Sequence, residues 1–170
     1  MAEENPSFSA DDLEEIPPFF YCTLEKMPFT KCSYCEKVLT DNHYIIEKLM
    51  QINEPMVEFA LCNACIEGLI ASLSKESLEN MRKSREPFLF IPGDHCISCK
   101  KLPKDAKRSI HVGMFYGNQY VSDSHVWTCS ECIKEKQKLL SKKTRERLED
   151  FNRDILAPFN SGVDLNLLPF

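Results

Sequence analysis

Cys32-Ser-Tyr-Cys35 and Cys62-Asn-Ala-Cys65, followed by Cys96-Ile-Ser-Cys99 and Cys129-Ser-Glu-Cys132, decide how this chain is read. Eight of the nine cysteines fall into these four C-x2-C steps, which follow one another at similar intervals. A C-x2-C turn brings two sulfurs to one side of a tight loop, and a second such turn completes a tetrahedron of thiolates. The spacing predicts two zinc ions per chain, one on Cys32, Cys35, Cys62 and Cys65, the other on Cys96, Cys99, Cys129 and Cys132. Four-thiolate sites leave no position for water or substrate, so the motif argues for structural metals and against an enzyme.

The steps belong to an internal repeat. The slide that superposes Pro28 on Pro92 also superposes Cys32 on Cys96, Cys35 on Cys99, Lys37 on Lys101 and Val57 on Val121. A slightly longer slide superposes Cys62 on Cys129, Cys65 on Cys132 and Ile66 on Ile133. The difference between the two slides falls between Val57 and Cys62 and reads as a longer hairpin end in the second copy; duplication explains the pattern. Between its cysteine steps each copy has strand-like sequence, His43 to Met50 and Pro55 to Leu61, then Ser109 to Tyr116 and Gln119 to Thr128, with Gly117-Asn118 as a tight turn. After the second step the apolar period lengthens to that of a helix. Ile66, Leu69, Ile70 and Leu73 make one face, and Ile133, Leu140, Leu148, Phe151 and Ile155 a longer one, on a single helix from about Ser130 to Leu156. Thr128-Cys-Ser-Glu131 reads as its capping box and Ala157-Pro158 as its stop.

Knuckle, hairpin, then a cysteine pair on the first turn of a helix is an order that resembles a treble-clef zinc finger. On Cys62, Cys65, Ile66 and Cys129, Cys132, Ile133 it resembles the four-cysteine zinc-binding domain of the ClpX protein-unfolding ATPase, a short likeness confined to each copy's motif. The resemblance implies a fold and protein partners but no activity, and no G-x4-G-K-[ST] phosphate loop occurs in the chain. The expected fold is α+β: two tandem four-cysteine treble-clef-like zinc modules packed as a pseudo-dimer. The expected divisions are an acidic, disordered arm over 1–20, modules over 21–86 and 87–157, and an apolar C-terminal tail over 158–170.

Other metal chemistries fit less well. A RING-like cross-brace would pair the first and third steps, yet a long interval holding a whole predicted helix separates Cys65 from Cys96. Rubredoxin-like iron knuckles place glycine after the second cysteine, where this chain has Glu36 and Lys100. Trp127-Thr-Cys-Ser-Glu-Cys132 is a poor thioredoxin motif, with tryptophan one place too far and no βαβ pattern around it. His43, His95, His111 and His125 have no spacing that suggests a catalytic set, and His95 is expected to be exposed or to sit behind the ligands. No nucleophile elbow or H-E-x-x-H is present. Cys22, left over, reads as a small buried hydrophobe.

Composition sets the environment. The chain has 170 residues, 43% of them hydrophobic, and a formal charge of -5, room for one domain or two small ones. Eight thiolates and two zinc ions would carry that charge to about -9. The acidic start Met1-Ala-Glu-Glu and the lack of a long apolar run argue against a signal peptide or membrane span, and paired thiols suit the reducing cytoplasm. Residues 1–30 hold seven acids against one lysine, whereas residues 91–150 hold twelve Lys/Arg against eight acids, so an anionic partner would meet the second half. There Lys134, Lys138, Lys142 and Arg145 form one predicted helical stripe, a candidate nucleic-acid contact, that Lys100, Lys101, Lys104, Lys107 and Arg108 would extend.

The expected function is a zinc-stabilised protein-interaction or adaptor module with no small-molecule substrate; the alternative is a nucleic-acid-binding regulator using the basic half. The docking candidates are the arm, through Phe8, Leu13, Ile16, Phe19 and Phe20, and the tail, through Leu167, Leu168 and Phe170. Ser9-Ala-Asp-Asp12 could begin a short helix in the arm, and Phe88-Leu-Phe-Ile91 is too apolar for a free tether.

Overall fold

The computed structural model describes residues 9–83 and 94–157. Its centre is a pair of long strands, β2 (His43–Gln51) and β4 (Arg108–Tyr116), which run antiparallel from His43 opposite Tyr116 to Gln51 opposite Arg108. β3 (Glu54–Cys62) returns beside β2 after a turn at Ile52-Asn53. On the far side of β4 lie β5 (Gln119–Val121) and β6 (Val126–Cys129), and β1 (Leu13–Glu15) closes that edge against β5. The sheet order is β1-β5-β4-β2-β3, with β6 beside the first half of β4. The two hairpins expected from sequence are therefore fused into one sheet. The predicted strand Gln119 to Thr128 is interrupted between Val121 and Val126, where Asp123 takes φ 59.

Both hairpin turns need left-handed backbone, and Ile52 and Gly117 each have φ 58. Glycine suits this conformation, and at 117 a Cβ would stand 2.7 Å from the Thr40 carbonyl oxygen. For a β-branched residue the same φ costs about 1–2 kcal/mol, and Ile52 bears it with its side chain 72% exposed.

The helices depart from the sequence expectation. α1 (Asn63–Ser72) and α3 (Ser130–Gln137) begin at Cys62 and Cys129, whose extended backbone caps them without a side-chain bond, so Thr128 stays in β6 and its capping box does not form. The single helix expected over 130–156 is broken after Gln137, and α4 (Lys142–Leu156) starts afresh at Ser141, whose Oγ accepts from the Thr144 N–H. α2 (Lys75–Lys83) has no counterpart in the sequence reading. The starts of α2 and α4 lie together and cap each other: the Ser74 N–H donates to Thr144 Oγ1 (3.0 Å) and the Ser141 N–H to Ser77 Oγ (2.8 Å). Leu69, Leu73, Ile133, Leu148, Phe151 and Ile155 join Leu49, Phe59, Leu61 and Ile110 of the strands in one core, while Ile70 is left exposed.

The arm also corrects expectation. Ser9 and Asp12 do make a reciprocal turn, the Asp12 N–H on Ser9 O and the Ser9 N–H on Asp12 Oδ2, both 2.9 Å. The chain then enters β1 instead of a helix, and Phe20 is buried beside Phe115 and Tyr120, with its ring against Gly113, where a Cβ would meet it at 2.7 Å. Residues 13–20 are thus tied to the sheet and its core and are not a free arm. The proposed docking residues Phe8, Leu167, Leu168 and Phe170, and the run Phe88 to Ile91, lie outside the described residues.

Two charged side chains lie in the middle of β2 with opposite solutions. Lys48 Nζ donates to Glu58 Oε2 and to Tyr21 O, each at 2.6 Å, and the Thr23 N–H and hydroxyl fill the rest of the Glu58 carboxylate. Burial resists ionising Glu58, but these donors prevail and hold its pKa below the usual value. Glu47 is 0% exposed between Phe59 and Val112, and neither carboxylate oxygen has a hydrogen-bond partner. Burial raises its pKa from 4.5 to about 8, so the folded protein keeps this carboxyl protonated at neutral pH. The unfolded chain releases the proton near 4.5; stability is complete below that pH and is lost as pH rises towards 8. Glu47→Gln should flatten the fall in melting temperature between pH 5 and 8, measured by calorimetry, and Glu47→Met should raise stability at pH 8. An unchanged profile in the Gln variant would remove Glu47 as its source.

Candidate metal centres

Each first cysteine pair sits on a knuckle closed by its own backbone. The Cys32 N–H donates to Lys37 O and the Glu36 N–H to Cys32 O; Cys96 with Lys101, and Lys100 with Cys96, repeat both bonds at 2.8–3.0 Å. The turn forces left-handed backbone just after the second cysteine, φ 60 at Glu36 and 62 at Lys100. Lack of glycine there does not prevent the knuckle, which weakens the sequence case against iron. The second pair comes from a strand end running into a helix: Cys62 ends β3 and Cys65 lies on the first turn of α1, while Cys129 ends β6 and Cys132 lies on the first turn of α3. The knuckle and strand end are tied at both sites, since the Cys62 N–H reaches Cys32 Sγ and the Cys129 N–H reaches Cys96 Sγ, each at 3.4 Å.

All four sulfurs of each group lie within 4.8 Å of one another. Close separations are Cys35–Cys62 at 3.7 Å and Cys32–Cys65 at 3.8 Å in one group, Cys99–Cys129 at 3.7 Å and Cys96–Cys129 at 3.8 Å in the other. A disulfide needs about 2.05 Å. Thiolates about 2.3 Å from a tetrahedral ion stand about 3.8 Å apart, so both groups fit such an ion, consistent with zinc. His95 is exposed and takes no part.

The thiol energetics also favour a cation. The Lys37 amide lowers the Cys35 pKa to about 7; at Cys96 burial opposes ionisation, but amides of Cys99, Cys129 and Ser98 bring it to about 7. Burial first, then neighbouring sulfurs, pushes Cys62, Cys65 and Cys129 up and takes Cys132 to about 11. A dication among the sulfurs would offset the burial that holds back Cys62 and Cys65 in one group and Cys129 and Cys132 in the other.

Sequence reasoning missed a second polar cluster. His111 Nδ1 and His125 Nε2 are 2.9 Å apart, and His111 Nε2 is 2.9 Å from Ser109 Oγ. Burial lowers both pKa values, that of His111 to about 3 with help from His125, so the pair stays neutral. Phe19 stacks on His125 and Trp127 on His111, shielding the cluster from solvent. Only the register of β4 with β6 brings these histidines together, and single-sequence spacing carries no sign of it.

The basic stripe is not assembled as expected. Lys134 lies on α3, Lys138 at its end pairs with Glu135, and Lys142, paired with Glu146, lies with Arg145 on the separate α4. Cys22 is half-buried, bridged to Met27, and not in the core. No helix among the described residues is long and apolar enough to cross a membrane.

Comparison with protein-family models, curated proteins and solved structures gives no match.

Native mass spectrometry should find two ions per chain, and chelation should abolish the fold, because a thiolate-bound structural ion supplies on the order of 10 kcal/mol. Since both halves share the β2–β4 pair, Cys65→Ser should lose one ion and depress a single unfolding transition instead of splitting it in two. Circular dichroism unchanged by a strong chelator would rule the metals out as staples.

Proposed function

We propose that the chain is a zinc-stabilised protein-interaction module without catalysis, in which two treble-clef-like halves pack as a pseudo-dimer. The observation that carries this is that all eight paired thiols fall into two compact four-sulfur groups, and a tetrahedral ion in each would leave no open ligand position. Sulfur separations and an all-thiolate donor set support zinc. Reduced thiols support a cytoplasmic site of action.

Reciprocal contacts support the twofold. The Ile52 N–H donates to Lys107 O (2.9 Å) and the Gly117 N–H to Asn42 O (3.2 Å), and the step along the chain from Ile52 to Gly117 equals that from Asn42 to Lys107. Glu47 and Val112, opposite each other in the β2–β4 register, are related by the same step and mark its centre. The mutual caps Ser74 with Thr144 and Ser141 with Ser77 are likewise reciprocal, with Ser141 standing for Ser74 and Thr144 for Ser77. These contacts refine the sequence register, since β2 maps onto β4 by the step from Ile52 to Gly117, one residue longer than the step from Cys32 to Cys96. One extra residue falls before β4 and two in the interrupted return strand.

Exposed apolar groups support a protein partner. A groove of about 450 Å³ is lined by Phe19, Tyr21, Cys22, Met50 and Pro55 together with Thr23, Lys26, Lys48 and Asn53, and in the same stretch of chain Leu24, 86% exposed, and Met27 face solvent. The broken basic stripe, with two of its lysines already paired, gives no comparable support to a nucleic-acid rod. A photo-crosslinking residue at Met27, in the native cell, should yield protein adducts that survive nuclease. Adducts confined to a crosslinker at Lys138 and erased by nuclease would replace this reading with the nucleic-acid one.

A further inference from the structure

The two ends of the central strand pair are equivalent in the proposed twofold but chemically unlike. At one end a cleft of about 480 Å³ is framed by the turn Gln51-Ile52, the entry to β4 and the first turn of α3. Lys107, Arg108 and Lys134 line it. Among the described residues none of the three has an acidic partner; Arg108 Nε donates to the neutral Gln51 Oε1 at 3.2 Å. The one acid in the cleft, Glu131, is engaged by Lys101 at 3.3 Å. At the opposite end the twofold puts Asn42 in the place of Lys107, His43 in that of Arg108 and Glu67 in that of Lys134. The halves share a backbone but only one has gathered uncompensated cations.

Ile52 is the second distinguishing feature of this end. It stands at the lip of the cleft in left-handed backbone, where the other half has Gly117, and its side chain projects into solvent. A β-branched residue in that conformation is strained, and such strain concentrates where a side chain is held for a partner. Folding gains nothing from an exposed isoleucine here, and glycine at the same φ would relieve the turn.

We propose that this cleft is a docking site for an acidic peptide segment of a partner protein, its carboxylates received by Lys107, Arg108 and Lys134 and an adjacent apolar side chain packed on Ile52. The inference rests on the protein-interaction reading and specifies the partner's chemistry. A peptide suits the cleft better than nucleic acid, because three cations meet a short acidic cluster while the chain as a whole is negative, -5 before the metals, and repels an extended polyanion.

The test uses full-length metal-loaded protein, a fluorescein-labelled short peptide of alternating Glu/Asp and Leu, and a single-stranded oligonucleotide of similar length, followed by anisotropy. Saturable peptide binding should weaken about tenfold or more in Lys107→Glu/Lys134→Glu, with both ions retained. Ile52→Gly should raise the melting temperature and still weaken binding, a combination a purely structural residue does not give. Binding unchanged in either variant, or absent in the wild type, overturns the proposal, as does displacement of the peptide by the oligonucleotide with a steep salt dependence. Loss of the cleft's binding while the Met27 protein adducts persist would remove this site alone and leave the broader interaction reading standing.

Discussion

The antiparallel pairing of β2 with β4 is the constraint on which the rest depends. It aligns the full length of both strands, turns two hairpins that would each have a bare edge into the interior of one sheet, and fixes where every other element sits. The four-cysteine groups are its outer anchors, since each ties a strand end to a knuckle and stands where a helix begins. The helix starts at Ser74 and Ser141 then meet and exchange caps. An ion in each four-cysteine group would add to what this core supplies.

The strand pair is also where polar burial concentrates. Lys48 is matched by Glu58 and Tyr21, and Glu58 in turn by Thr23, so this ion pair adds to the β1–β5 pairing in holding the N-terminal segment on the sheet. Next to it the His111–His125 pair is kept neutral between Phe19 and Trp127. Glu47 has no donor and is accommodated by staying protonated. Unpaired buried charge costs most and paired buried charge is at best neutral, which explains why these solutions differ so sharply between adjacent residues of one strand.

Legibility from sequence follows locality. The grouping of the eight cysteines, the strands β2, β3 and β4 and the Gly117 turn depend on short-range spacing and periodicity, and they are readable. What depends on partners far along the chain is not. The break between α3 and α4 has a local N-cap in Ser141, but its N–H is taken by Ser77, distant in sequence, and no proline or glycine marks it. β1 forms because β5 offers an edge, overriding an acidic composition that favours disorder. The histidine pair likewise depends on strand register, which spacing in one sequence does not reveal.

The long sequence separation across the central strand pair has a consequence for biosynthesis. A chain growing from the ribosome can close its first knuckle and hairpin early, but β2 finds its neighbour only after residues 108–116 have emerged, and β3 leaves β2 with one open side until then. Forming that contact closes a long loop, the kind of non-local step that slows folding. The nascent first half therefore exposes an apolar strand edge for the whole time that the second half is being made, and that interval is when the chain is most open to misassociation with its neighbours.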